Sequence, residues 1–120
     1  MKCWPILLFF FYCGLLPAEN ADEGIAPVAL VASQDGRRIY IAEAAARQIA
    51  ILDVANSKIV GKISLPDLPS GLAISPDGKK LYVTAGSAKG SVVVIDASAA
   101  KIKSTWHVGH TPCAPVLSPD

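Results

Sequence analysis

The chain contains an internal repeat with a period of 42 residues. Residues 75–83 read Ser-Pro-Asp-Gly-Lys-Lys-Leu-Tyr-Val, and residues 33–41 read Ser-Gln-Asp-Gly-Arg-Arg-Ile-Tyr-Ile. A third copy begins at residues 118–120 with Ser-Pro-Asp. A period near 40, with β-branched runs separated by Asp-Gly turns, is typical of radial or stacked arrays in which each repeat is one supersecondary unit. The repeat therefore predicts a modular all-β fold.

Each repeat predicts four strands. The glycine of each Asp-Gly turn, with a proline before it in the second repeat only, favours a tight hairpin between the first two strands. The third strands are continuously apolar, which is typical of strands covered on both faces. Lysines alternate with apolar residues in the fourth strands, as in exposed edge strands. The predicted strands are 27–32, 38–42, 48–53 and 58–65 in the first repeat, 71–75, 80–84, 91–96 and 101–108 in the second, and 114–118 in the third.

One segment favours a different local structure. Residues 43–47 read Glu-Ala-Ala-Ala-Arg, a helix-prone stretch with an i,i+4 ion pair. The matching stretch of the second repeat contains Gly86 and Gly90, which disfavour a helix. A loop is therefore predicted here, with a local helical turn as the alternative.

The N-terminus has the pattern of an export signal. Lys2 precedes an uncharged apolar run over residues 4–16, which is shorter than the ~20 residues of a membrane span. Small residues suitable for cleavage follow at Ala18 and, as a second choice, Ala21. We therefore predict an exported protein, periplasmic or extracellular, with a retained membrane anchor as the alternative.

Composition narrows the possible partners. Of three cysteines, only Cys113 lies outside the leader, so no disulfide is expected. Basic and acidic residues balance once the leader is removed, which argues against nucleic acid and anionic membrane as general partners. About 100 residues remain, fewer than the four blades of about 40 residues that a closed propeller requires.

The predicted fold class is all-β, a partial β-propeller. It consists of two four-stranded antiparallel blades and the first strand of a third, after an N-terminal signal helix. The predicted segments are a signal peptide at 1–18, a linker at 19–26, blade 1 at 27–69, blade 2 at 70–113 and the start of blade 3 at 114–120. Because each blade exposes two apolar faces, further blades or other copies of the chain are expected to cover them.

Leu-Tyr-Val-Thr at residues 81–84, between Ser-Pro-Asp-Gly-Lys-Lys and Ser-Val-Val-Val-Ile-Asp, resembles the YVTN-type β-propeller repeat family. Ile-Tyr-Ile-Ala at residues 39–42 is a looser copy of the same motif. The resemblance covers residues 27–120 and implies a bacterial propeller fold. It does not single out a function, because the family includes surface and periplasmic binding proteins and the propeller domains of redox enzymes.

A narrower likeness lies at the entrance to the third repeat. Gly-His-Thr-Pro at residues 109–112 is similar to a step in exported bacterial propellers joined to a c-type haem domain related to cytochrome c peroxidases. The chain contains no Cys-x-x-Cys-His sequence, so this segment is not expected to attach haem or another cofactor itself.

His107, His110 and Cys113 form the one cluster with ligand chemistry in the sequence. The repeat places His107 at the end of an outer strand and the other two in the following connection, with no second pair to complete four zinc ligands. No metal site is therefore predicted. His110 and Cys113 remain candidates for a ligand-binding loop, because connections to an innermost strand lie near the channel mouth of a propeller.

Five other residues repeat or stand out. Trp106 is expected to pack between blades, and so are Tyr40 and Tyr82, which occupy equivalent positions in the two repeats. Asp53 and Asp96 occupy equivalent positions before a turn, where an Asx cap is the commoner role and a calcium ligand the alternative.

No catalytic constellation can be placed on the sequence, since neither a nucleophile elbow nor a Ser/His/Asp arrangement is present. The predicted function is a non-catalytic scaffold that presents loops to a protein or small ligand. The alternative is the propeller part of a periplasmic c-type haem redox enzyme, and assembly of several copies into a ring is a third hypothesis.

Overall fold

The computed structural model describes residues 26–119, which form an all-β fold. The predicted signal peptide, and residues 19–25 of the predicted linker, lie outside the described residues. The strands are β1 (Pro27–Ala32), β2 (Arg38–Glu43), β3 (Gln48–Asp53), β4 (Lys58–Ser64), β5 (Pro69–Ile74), β6 (Lys80–Ala85), β7 (Gly90–Asp96) and β8 (Lys101–Gly109). Within residues 26–119 there is no helix, and so none that could span a membrane.

The strands form two antiparallel sheets in which the spatial order follows the chain. Sheet 1 has the order β1-β2-β3-β4, and sheet 2 has the order β5-β6-β7-β8. The eight strands lie within two residues of their predicted bounds. Residues 44–47 form the β2–β3 turn, closed by a hydrogen bond of 3.1 Å from the Arg47 amide to the Ala44 carbonyl, so the alternative of a helical turn is not realised. The prediction of two four-stranded blades is confirmed.

The Asp-Gly turns have the same geometry in both repeats. Asp35 Oδ1 accepts hydrogen bonds from Ser33 Oγ at 2.6 Å and from the Arg37 amide at 3.0 Å. The Arg38 amide donates to Ser33 Oγ at 3.0 Å. The second repeat forms the same three bonds at 2.6, 3.0 and 2.9 Å among Ser75, Asp77, Lys79 and Lys80. A positive φ of 70° at Gly36 explains why glycine follows the aspartate.

The hydrophobic core lies between the two sheets. Its largest side chains with almost no exposure are Ile49 in sheet 1 and Leu81, Val83, Val93 and Ile95 in sheet 2. The innermost strands β1 and β5 lie beside each other. Because each strand alternates its side chains between two faces, each sheet contributes one face to this core and turns the other outward.

The last described residues, 110–119, run across the outward face of sheet 2. The Thr111 amide donates to the Ser87 carbonyl at 2.8 Å, and Ser70 Oγ donates to the Pro112 carbonyl. A Cβ at Gly71 would lie 2.6 Å from Pro115 Cδ, so the close approach requires glycine. Residues 114–118, predicted as the first strand of a third blade, have no strand pairing here, because a strand needs a hydrogen-bonded neighbour and the 120 residues hold no second strand of that repeat.

Candidate functional site

The structure separates the predicted ligand-binding residues. His107 lies in β8 opposite Ser91, while His110 and Cys113 lie in the exposed segment after that strand. The two histidines line a surface depression of about 470 Å³ together with Lys89, and Cys113 is not part of its lining. No group of three or more His, Cys, Asp or Glu side chains that could hold a metal ion occurs between residues 26 and 119. A ligand at His110 and Cys113 stays a prediction.

Trp106 does not pack between the two sheets. Its side chain is 55% exposed, and it lies on the outward face of sheet 2, opposite Val92. The expectation of inter-blade packing is therefore not met within residues 26–119, because this face points away from sheet 1. Tyr40, by contrast, belongs to the core between the sheets, as predicted.

The equivalent aspartates Asp53 and Asp96 cap the turns that follow β3 and β7. Asp96 Oδ1 accepts hydrogen bonds from the Ser98 amide at 3.0 Å, from Ser98 Oγ at 2.7 Å and from the Ala99 amide at 3.0 Å. Asp53 Oδ1 accepts one hydrogen bond, from the Asn56 amide at 3.3 Å. The predicted Asx caps are confirmed.

A cleft that sequence reasoning missed opens between the two repeats. It has a volume of about 590 Å³ and lies at the end of the sheets that carries the Asp-Gly turns. The lining residues come from both repeats: Ser33, Gln34, Asp35, Arg37, Arg38, Tyr40, Asp77, Gly78, Ala97 and Ser98. We call it the inter-turn cleft. Its sequence signal is the recurrence of the Asp-Gly turn, because both turns line the cleft, the first of them with the basic pair Arg37 and Arg38.

The two acidic residues of the inter-turn cleft are held in place by their own turns. The Ser33 hydroxyl and then the Arg37 amide lower the pKa of Asp35, and the Ser75 hydroxyl and the Lys79 amide do the same for Asp77. Both carboxylates therefore remain ionised at neutral pH. A carboxylate stabilised in its charged form is a poor general acid, so these groups are suited to structure and binding.

The rest of the cleft lining consists of hydrogen-bonding groups and the aromatic ring of Tyr40. Tyr40 lines the cleft although only 3% of its surface is exposed, so it marks the boundary between cleft and core. Arg37 and Arg38 are exposed at the rim. The hydroxyls of Ser33 and Ser98 also line the cleft, but they donate their protons to Asp35 at 2.6 Å and to Asp96 at 2.7 Å. The arrangement combines guanidinium, hydroxyl, amide and carboxylate groups on an open surface, which suits recognition of a polar ligand.

Comparison with known proteins identifies the fold. No family model matches the chain. Hydrazine synthase from Kuenenia stuttgartiensis superposes with a TM-score of 0.70 at 26% identity, covering 75% of this chain and 25% of that protein. The WD40 repeats of RRP9 superpose with a TM-score of 0.63 at 22% identity, covering 72% of this chain and 27% of theirs. The fold is that of a β-propeller.

Two further bacterial proteins are similar to this chain. Antigen Lp49 from Leptospira interrogans is 30% identical over 104 residues, which cover 76% of this chain and 23% of the antigen. AztD from Citrobacter koseri has a TM-score of 0.63 at 22% identity over 73% of this chain and 25% of its own. The chain thus spans about a quarter of the length of the proteins that it matches.

Proposed function

We propose that this chain is the exported two-blade segment of a bacterial YVTN-type β-propeller that acts as a non-catalytic binding scaffold in the periplasm or outside the cell. The observation that carries the proposal is the inter-turn cleft, to which both repeats contribute side chains. Its acidic groups and its Ser33 and Ser98 hydroxyls are engaged in turn bonds, whereas its two arginine side chains are exposed. Such a surface can bind a ligand without catalysing a reaction of that ligand.

Export is the first part of the proposal to test. The gene is expressed with its leader in a Gram-negative host, and the periplasmic protein is subjected to N-terminal sequencing. We expect a mature start at Glu19, or at Asp22 if cleavage follows Ala21. A Leu8→Arg variant, which places a charge in the apolar run, should retain Met1 and stay in the cytoplasm. Recovery of the unaltered protein with Met1 intact, in the cytosol or in membranes, would contradict export of a cleaved protein.

A second candidate function is the propeller part of a redox enzyme whose catalytic domain lies elsewhere in a longer protein. The similarity to hydrazine synthase, at 26% identity and a TM-score of 0.70, favours it. In that case any haem would be attached outside this segment, and the blades would support or orient the catalytic domain.

Haem staining of the natural gene product, separated on a denaturing gel, distinguishes the two functions. Covalently bound c-type haem survives denaturation, so a stained band would favour the redox enzyme and overturn the scaffold. The expected result for the scaffold is an unstained band beside a stained cytochrome c control.

The outward sheet faces require partners in either case. We propose that further blades of the same propeller cover them, as sheet 2 covers sheet 1. Light scattering on the purified chain tests the alternative of other copies: a discrete oligomer supports assembly into a ring, whereas a monomer or a heterogeneous aggregate argues against it.

A further inference from the structure

Charge is unevenly distributed along the two sheets. We define the turn end as the end formed by the turns after β1, β3, β5 and β7 together with the residues that flank these turns. It carries seven basic residues, all exposed: Arg37, Arg38, Lys58, Lys79, Lys80, Lys101 and Lys103. It carries four acidic residues: Asp35, Asp53, Asp77 and Asp96. With seven basic and four acidic residues, the turn end carries a formal charge of +3.

The acidic and basic groups of the turn end differ in their roles. All four carboxylates accept hydrogen bonds within their turns, for example Asp77 from Ser75 Oγ at 2.6 Å. The basic residues that follow them contribute to the turns only through backbone amides, as the Lys79 amide does to Asp77 at 3.0 Å. Their side chains remain exposed to solvent. The turn end therefore presents ammonium and guanidinium groups outward while its carboxylates stabilise the fold.

The basic residues also occupy equivalent positions in the two stacked sheets. Arg37 and Arg38 in sheet 1 are equivalent to Lys79 and Lys80 in sheet 2, and stacked sheets lie about 10 Å apart. The inter-turn cleft lies between the repeats and adds the Gln34 amide and Ser98 Oγ, which donates to Asp96 and can still accept a hydrogen bond. A ligand that matches both features is extended, carries anionic groups at intervals and has many hydroxyls.

We propose that the turn end binds an acidic polysaccharide, with one basic pair per blade contacting its anionic groups and the inter-turn cleft accepting a sugar unit. Repeated weak contacts along a polymer raise the overall affinity without a deep pocket. The polar lining of the cleft favours a hydroxyl-rich chain over the apolar insertion that a lipid surface adds to charge. The inference rests on the binding role proposed above, but not on export.

The test measures binding of the purified full chain to two acidic polysaccharides, heparin and polygalacturonate, with neutral dextran as the uncharged control. Two matched double variants each remove one arginine and one lysine. Arg37→Gln with Lys79→Gln alters the turn end, and Arg47→Gln with Lys62→Gln alters exposed positions towards the opposite end. The turn-end pair should spare the fold, because the turn bonds of Arg37 and Lys79 use backbone amides.

We expect the turn-end variant to lose about tenfold in affinity for an acidic polysaccharide, and the opposite-end variant less than about twofold. Affinity should fall as salt rises, since counterions are released on binding. Equal losses in both variants, or no binding to either polysaccharide at physiological salt, would overturn the proposal. Binding to anionic phospholipid vesicles without binding to the polysaccharides would also overturn it. Failure of export leaves this assay unaffected, so the two proposals fail separately.

Discussion

Tyr40 and Tyr82 occupy the same position in consecutive repeats but have different environments. Tyr40 is 3% exposed because its face of sheet 1 packs against sheet 2. Tyr82 is only half-buried, on a face of sheet 2 that residues 110–119 alone overlie among the described residues. The comparison teaches that the repeat determines which way a side chain points, whereas the neighbouring sheet determines how much that side chain stabilises the fold.

The opposite faces show the complementary difference. Leu81 is fully buried in the core between the sheets, while its equivalent Ile39 is half-buried on the outward face of sheet 1. The outward face of sheet 1 also exposes Leu30 at 65%. Among the described residues the outward face of sheet 1 is thus open and that of sheet 2 is overlain only by residues 110–119, so equivalent substitutions should have unequal effects.

The largest expected difference is between the two tyrosines. Replacing Tyr40 by alanine should lower the free energy of unfolding by about 3–5 kcal/mol, because it leaves a cavity in the core. Tyr82→Ala should cost less than about 2 kcal/mol, since part of that ring already contacts solvent. Urea denaturation of both variants provides the measurement. Equal losses would mean that Tyr82 is as fully covered in solution as Tyr40.

Leu81 and Ile39 provide the second test. Here the buried residue lies in sheet 2 and the half-buried one in sheet 1. Leu81→Ala should destabilise the chain by about 2–5 kcal/mol, and Ile39→Ala by about 1 kcal/mol, because only Leu81 is surrounded by core side chains. The same denaturation assay compares them. If Ile39→Ala proved the more costly change, the assignment of buried faces would be incorrect.

The repeat was sufficient to predict the blades, because the Asp-Gly turns and apolar runs are local features. Ser33 and Asp35 lie two residues apart and close the same turn wherever the motif occurs. Strand bounds, edge strands and the burial of Tyr40 followed from this pattern. The Asx caps at Asp53 and Asp96 were predictable for the same reason.

Features that depend on contacts between repeats could not be predicted in this way. Both Arg37 and Ser98 line the inter-turn cleft, although Ser98 is 61 positions later in the chain. Strand pairing at residues 114–118 depends on a partner strand and not on the β-propensity of the segment itself. Trp106 is exposed for a similar reason, since packing between blades requires a neighbour on that face.

Gly71 and Gly61 compare a close approach of backbone to a sheet with an ordinary side-chain contact. A Cβ at Gly71 would lie 2.7 Å from the Ala114 amide nitrogen, whereas at Gly61 the nearest atom is the flexible end of Ile51 at 3.4 Å. Gly71→Ala should therefore cost about 1–3 kcal/mol and displace residues 110–119, and Gly61→Ala should cost less than about 1 kcal/mol.

Hydrogen exchange at the Thr111 amide reports on the displacement directly. This amide bonds to the Ser87 carbonyl at 2.8 Å, so its protection should fall in Gly71→Ala and stay unchanged in Gly61→Ala. Unchanged protection in both variants would show that the segment does not pack against Gly71 in solution.

The smallest expected effect is a difference in how the Asx caps at Asp53 and Asp96 respond to acid. The Ser98 hydroxyl, followed by the Ala99 amide, lowers the pKa of Asp96 from its ordinary value of 3.8. A carboxylate with a lowered pKa in the folded state contributes stability that is fully present above the unfolded pKa and is lost as pH falls through the folded value. The stability that ionised Asp96 contributes should therefore decline as pH falls below about 4.

Asp96→Asn removes the titrating group and keeps an oxygen that can accept the same hydrogen bonds. In this variant the decline of stability between about pH 4 and pH 2 should be shallower than in the unaltered chain, with Asp35 and Asp77 supplying the remaining slope. Asp53→Asn is the matched control, because Asp53 accepts one bond of 3.3 Å where Asp96 accepts three. Urea midpoints across this pH range provide the measurement. An Asp53→Asn variant that flattened the curve as much as Asp96→Asn would show that the extra bonds to Ser98 and Ala99 do not stabilise the charged form.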